Sequence, residues 1–145
     1  MRKNKALTYR ANKFRSKRTE YNSVWFASKA EAARAAELDL LLKAGLITEW
    51  IPQPVFRLGV PENKYVADFL VINSPQCSYC GAKHAHGCIG PMEHIKEPRT
   101  WVEEIKGVET PVFNKNKRLW QAYGRLPLVI RRNGVEVERI IPDGK

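Results

Sequence analysis

At 145 residues, with 43% hydrophobic and 28% charged side chains, the chain is the size of one globular domain and too apolar for global disorder. No apolar run approaches the roughly 18 residues of a membrane span, and the N-terminus lacks the apolar stretch of a signal peptide. These exclusions predict a soluble, intracellular, cytoplasmic protein with no membrane partner. The net charge of +10 points to a polyanionic partner.

Much of that charge stands at the start of the chain. Arg2, Lys3, Lys5, Arg10, Lys13, Arg15, Lys17 and Arg18 all precede the first acid, Glu20. Residues 1–20 therefore read as a basic arm. Neutralising phosphates with Arg10, Lys13, Arg15, Lys17 and Arg18 would release counterions from DNA, whereas the plainer alternative is a solvated tail. Tyr9 and Phe14 could stack on bases within the same arm.

The stretch SKAEAARAAELDLLLKAGL predicts a helix over 28–44, with Ala33, Glu37, Leu40, Leu41 and Ala44 near one face and Gly45 as a stop. ITEWIPQPVFRLGV follows; Pro52 and Pro54 forbid a regular central strand, so a bent or edge strand is expected. KYVADFLVIN, residues 64–73, reads as a buried strand and TWVEEIKG as another. Between them, residues 74–99 are rich in Gly, Pro, Cys and His and read as an insertion. After Pro111, Val112, Phe113, Lys117, Trp120 and Tyr123 suit a short amphipathic helix, with Trp120 in the core beside Phe113 and Tyr123. LPLVIRR is the next strand, and Asn133-Gly134 is a two-residue hairpin turn into VEVERII. The order helix, strand, strand, strand, helix, strand, strand predicts a single α/β domain over 21–145 with one mixed sheet.

Two acids in this pattern stand out. Along WVEEIKG alternate side chains share a face, so Val102, Glu104 and Lys106 point one way and Trp101, Glu103 and Ile105 the other. Asp68 sits amid apolar residues in YVADFLV, where an unpaired carboxylate is costly. A divalent ion would answer both placements, since Mg²⁺ or Mn²⁺ is held by one or two carboxylates from neighbouring strands. Such an ion polarises a phosphodiester and lowers the pKa of its water, while Lys106 orients that water or offsets developing charge. The alternative is an ion pair between Glu104 and Lys106, with Asp68 meeting a backbone donor.

The helix, a strand carrying Asp68, a strand carrying Glu104-x-Lys106 and a second helix together resemble the PD-(D/E)xK nuclease superfamily, in particular its small phage-type members. The resemblance spans about Ser28 to Arg132, with Ala67 standing where the motif's name puts proline. It implies a restriction-endonuclease-like core in helix-strand-strand-strand-helix-strand order. It further implies a Mg²⁺- or Mn²⁺-dependent DNA endonuclease that leaves a 5′-phosphate and works as a homodimer. On this reading Asp68, Glu104 and Glu31 hold the metal and Lys106 completes the catalytic set. Gln53 is a supporting residue beside Asp68, or else satisfies the irregular backbone around two prolines. Lys115 and Lys117, on the second helix, become candidates for phosphate contacts. Glu31 has a rival role, because Ser28-x-x-Glu31 is also a capping box.

The insertion carries its own signal. Cys77, Cys80 and Cys88 cluster with His84 and His86, and His94 follows. In an intracellular chain this favours metal over disulfide, and C-x-x-C-G suits a zinc knuckle. Structural Zn²⁺ held by Cys77, Cys80, Cys88 and either His86 or His84, with His94 a further candidate, would replace the core that this segment is too polar to build. The same segment, with Glu93-His94-Ile95, also resembles a zinc-bearing HNH nuclease with His94 as general base, although that family's later asparagine, histidine and second cysteine pair are missing. Outside enzymes altogether, the arm and knuckle would make a non-catalytic nucleic-acid-binding protein in which the acids are structural.

Overall fold

The computed structural model describes residues 16–73 and 99–144. Arg10, Lys13 and Arg15 of the arm, and Cys77, Cys80, His84, His86, Cys88 and His94 of the expected zinc knuckle, lie outside these residues. In chain order the elements are β1 (Thr19–Tyr21), β2 (Val24–Phe26), α1 (Lys29–Lys43), β3 (Glu49–Pro52), β4 (Val55–Arg57) and β5 (Lys64–Val66). They continue with β6 (Phe69–Asn73), β7 (Arg99–Ile105), α2 (Pro111–Tyr123), β8 (Leu128–Arg132) and β9 (Val135–Ile140).

Among the described residues the protein is α/β, with a mixed five-stranded sheet in the spatial order β3, β6, β7, β8, β9 and two helices. Only β7 and β8 run parallel, joined through α2; the other neighbours are antiparallel. Asn133 and Gly134, at φ 51° and 78°, make the expected tight turn between β8 and β9. At the opposite edge the ITEWIPQPVF segment is bent as expected, because β3 ends at Pro52 and β4 begins at Val55.

The partner of that bend differs from expectation. Residues 64–73 are not one continuous strand: β5 pairs with β4, β6 pairs with β3, and Ala67 and Asp68 lie in the break between them. The break is held from across the ribbon. The Gln53 N–H donates to the Asp68 carbonyl at 2.9 Å and the Ala67 N–H to the Pro54 carbonyl at 3.1 Å, with Gln53 itself at φ 51°. Asp68 thus leaves the strand at a kink instead of pointing from the middle of a flat pleat.

Each face of the sheet has its own core. On one side Phe69 and Val71 pack with Ala32, Ala35 and Leu38 of α1, with Phe26 of β2 and with Ile47. On the other, Val102, Leu128 and Ile130 pack with Phe113 and Trp120 of α2 and with Leu58 and Tyr65 of the β4–β5 ribbon. Trp120 meets Phe56 and Tyr65 edge-on and donates its indole N–H to the Leu126 carbonyl at 2.8 Å. Trp120 and Phe113 are core as expected, but Tyr123 lies 54% exposed against Gly59 at the end of the helix.

The two helices begin on side-chain caps. Ser28 Oγ accepts from the Glu31 N–H at the start of α1, and Thr110 Oγ1 accepts from the Phe113 N–H at the start of α2, followed by a proline in the first turn. Gly45, at φ 73°, follows the last turn of α1. The buried face of α1 is not the expected one: Ala32, Arg34, Ala35 and Leu38 turn inward, whereas Ala33, Glu37 and Ala44 face solvent and Leu40 is 65% exposed. Leucines on both sides of the DLLL run let either face serve, and an inward arginine decides the matter. Ahead of α1, an unexpected hairpin pairs β1 with β2 through Asn22 and Ser23, both at positive φ.

Candidate active site

Adjacent residues of β7 look into opposite halves of the molecule, and each is a buried glutamate. Glu104 shares the α2 side with Val102. Its Oε2 accepts from the Tyr65 hydroxyl at 2.7 Å, and its Oε1 lies 3.2 Å from Lys106 Nζ. Lys106 follows the strand's last residue, with its N–H bonded to the Arg131 carbonyl of β8 at 2.9 Å and its ammonium 4.7 Å from the centre of the Phe113 ring. The expected shared orientation of Glu104 and Lys106 is therefore present, and the pair is mostly buried on the carboxylate side.

Asp68 joins them from the kink before β6. Its N–H donates to the Glu103 carbonyl at 3.2 Å, and its Oδ2 accepts from the Ile105 N–H at 2.6 Å. Among the described residues no donor reaches its Oδ1. Burial pushes the Asp68 carboxyl up to about 8, helped by the charges of Glu104 and Glu31 and opposed by the Ile105 N–H and Lys106. Burial likewise raises Glu104, with Glu31 adding to the shift and Tyr65 and Lys106 opposing it. Tyr65, raised by burial and by the Glu104 charge, remains a phenol and a donor.

Of the two roles weighed for Glu31, the bonds it makes are those of the cap. It closes the capping box, taking the Ala27 N–H on Oε2 at 3.1 Å and the Ser28 hydroxyl on Oε1 at 3.1 Å. It also lies near enough for its charge to raise both buried acids. A groove lined by Ser16, Ser28, Glu31, Lys106 and Thr110 opens beside them, between the first turns of the two helices.

The opposite side of β7 is settled differently. Glu103 receives two hydrogen bonds from Arg34, Nε to Oε2 and Nη2 to Oε1, each 2.7 Å, and a third from the Trp101 indole at 2.9 Å. Arg131 brings Nε to 3.2 Å of Oε1, close enough to count as an ion pair but too poorly aligned for a hydrogen bond. Burial alone would raise Glu103; the bonds from Arg34 and Trp101 and the two arginine charges outweigh it and hold the carboxyl below its ordinary range.

Reading the sequence left out Tyr65, Arg34 and Arg131. A phenol in the apolar strand KYVAD needs a buried acceptor, which was a usable hint of Tyr65's role. Arg34 offered only the i,i+3 pair with Glu37, at 2.9 Å, because its buried partner Glu103 lies 69 residues away. Among the other candidates, Gln53 stands opposite Asp68 through its backbone and leaves its side chain exposed. Lys17, Arg18 and Lys115 are exposed. Lys117 is a correction: its ammonium is bound to Glu109 at 3.0 Å and Glu138 at 2.8 Å, so it ties α2 to β9 instead of standing free for a phosphate.

Comparison of the chain with family models, with curated proteins and with solved structures finds no match. The site must be weighed on its own chemistry. Among the described residues no three His, Cys, Asp or Glu groups stand together as a ready metal cage. The donor set nevertheless suits a hard divalent cation: the buried Glu104 and the partly buried Asp68 carboxylates, both raised chiefly by burial, with Asp68 Oδ1 uncommitted among the described residues. No helix among the described residues is long and apolar enough to cross a membrane.

Proposed function

We propose that the protein is a divalent-metal-dependent endodeoxyribonuclease, with Asp68, Glu104, Lys106 and Glu31 at its centre. The observation that carries the reading is the approach of Asp68, at the kink before β6, to Glu104 of β7, two acids raised by burial, with a lysine 3.2 Å from one of them beside an open groove. Perturbed acids beside a cleft are the usual mark of a reacting site. The order of α1, β3, β6, β7, α2 and β8 around these residues supports the likeness to the PD-(D/E)xK core. Zinc in the insertion and a homodimer belong to the same proposal.

Asp68 and Glu104 would hold Mg²⁺ or Mn²⁺, which when bound polarises the scissile phosphodiester and makes water more acidic. The chain's own groups do the rest. Ile105 fixes Asp68 through its N–H, and Tyr65 fixes Glu104 through its hydroxyl, so neither carboxylate needs to reorganise as charge develops. Lys106 would orient the attacking water and offset negative charge on the phosphate. Glu31, held by its own cap, keeps the field of the groove's mouth negative near the acids and would add a ligand on the α1 side.

The second reading is a non-catalytic nucleic-acid-binding protein, favoured by the structural bonds that Glu31 and Asp68 make with backbone N–H groups. Cleavage of a labelled panel of duplex, single-stranded, flap and four-way-junction DNA, with Mg²⁺, Mn²⁺ or EDTA, separates the two. Metal-dependent cutting that is lost in Glu104→Ala supports the nuclease; binding without cutting in every condition overturns it.

A further inference from the structure

The β1–β2 hairpin carries a feature that the proposed chemistry does not use. Phe26 turns inward and is 1% exposed, while its neighbour Trp25 turns outward and is 52% exposed. A tryptophan left half in water on a short two-stranded ribbon contributes little to a core. The Arg18 guanidinium lies 5.7 Å from its ring centre.

The surroundings give this ring a direction. Arg18 is followed inward by Lys17, which lines a shallow depression with Ser16, Ser28 and Lys29 at the start of α1. Ser16 and Ser28 also line the groove that holds Glu31 and Lys106. Ser16 Oγ donates to the Ala27 carbonyl at 2.6 Å, which fixes the chain at that junction. From Ser16 to Ala30 three basic residues, Lys17, Arg18 and Lys29, face one acid, Glu20. The remaining six basic residues of the arm join covalently at Ser16, the mouth of the groove.

We infer that the surface from Trp25 and Arg18 through Lys17 and Lys29 to the groove is a track for one unpaired nucleic-acid strand, with a base stacked on Trp25 and phosphates on the lysines. Its occupant is set by chemistry: a flat aromatic face with a guanidinium beside it accepts the π-face of an unpaired base, which a continuous duplex keeps hidden. Flanking ammonium groups without base-edge donors make the track tolerant of sequence. The inference rests on the nucleic-acid reading above and names its substrate class: strands that are unpaired next to the cut, as in flaps, junction arms and single-stranded ends.

The test is equilibrium binding of the full-length protein, in EDTA, to a fluorescently labelled 15-nucleotide single strand and to a blunt duplex, compared with Trp25→Ala, Trp25→Phe and the pair Lys17→Ala/Lys29→Ala. EDTA keeps the result independent of cutting, so a protein that binds as inferred but never cleaves would overturn the nuclease reading alone. Trp25→Ala is expected to weaken single-strand binding by about 5- to 150-fold, with Trp25→Phe retaining most of it and duplex affinity within about twofold of the original. The lysine pair is expected to reduce the steepness of log K against log salt by about 1.4 on the single strand. Equal loss on single strand and duplex, or single-strand binding that ignores Trp25→Ala, overturns the track. Because Trp25 lies at the surface, melting curves of both tryptophan variants should match the original.

Discussion

Glu103 and Glu104 are neighbours in one strand and equally hidden from water, yet the protein treats them in opposite ways. Glu103 is given a bidentate arginine, an indole and a second guanidinium, and its acidity is strengthened. Glu104 is given a phenol, one lysine and a second carboxyl group nearby, and its acidity is weakened, as is that of Asp68. Burial alone therefore does not mark a reacting residue. What distinguishes the α2 side is a shortage of positive charge, which a cation from solution can make good, whereas the α1 side already supplies its own.

The comparison breaks most severely if Arg34 is removed. Arg34→Ala leaves Glu103 buried without its main partner and is expected to cost about 3–5 kcal/mol in chemical denaturation, while the double replacement Arg34→Met/Glu103→Met is expected to come out near neutral. On the other side, Glu104→Gln should reduce metal-dependent cleavage by roughly 10²- to 10³-fold with stability changed by less than about 1 kcal/mol, since glutamine still accepts from Tyr65. A Glu104→Gln variant that unfolds as readily as Arg34→Ala would erase the distinction between the two glutamates.

Proton linkage sharpens the same contrast. Asp68 keeps its proton in the folded state up to about pH 8 but releases it near its ordinary value when unfolded. Between those values the folded state binds more protons, so this contribution to stability is full at low pH and is lost as pH rises through about 8. Relative to Asp68→Asn, the melting temperature of the original protein should fall as pH rises from 5 to 8, by about 4 °C for each kcal/mol. Mg²⁺ or Mn²⁺ should restore it, more at pH 8 than at pH 6, because binding displaces that proton; a rise that is equal at both pH values, or absent, would remove the cation from Asp68. The smallest expected effect is Glu31→Gln, which preserves the cap and melting temperature and lowers cleavage about tenfold, the scale of losing a supporting group around a metal.

Legibility in the sequence followed the distance over which each feature is decided. The Asn133-Gly134 turn, the alternation along β7 and the Ser28 cap depend on neighbours a few residues away, and all could be read directly. The bend at Pro52 and Pro54 was readable too, but its consequence for Asp68 was not. The break at Ala67–Asp68 is imposed by hydrogen bonds from Gln53 and toward Pro54 across the ribbon, and nothing within YVADFLV announces it. The inward face of α1 and the engagement of Lys117 failed for the same reason, since Glu103 and Glu138 belong to distant strands. Within the candidate site the acids and lysine were legible as residue types at a spacing. Tyr65, which holds Glu104, was hinted at by a phenol in an apolar strand, whereas the Ile105 N–H that holds Asp68 became visible only with the packing.

The Arg34–Glu103 pair also bears on how the chain finds its pairing. The Asn133-Gly134 turn dictates which residues of β8 and β9 meet, but β6 and β7 are joined through residues 74–98, and so long a connection cannot count residues for them. A one-residue slip between β6 and β7 would exchange their faces, sending Glu103 toward Trp120 and leaving the Arg34 guanidinium with Glu37, at 2.9 Å, as its remaining carboxylate. Such a slip strands the Glu103 charge, whereas the observed alignment satisfies Arg34 and sets Asp68 beside Glu104. The ion pair acts as a key for strand alignment, so that the half of the sheet with its charges balanced decides the geometry of the half that keeps them unbalanced.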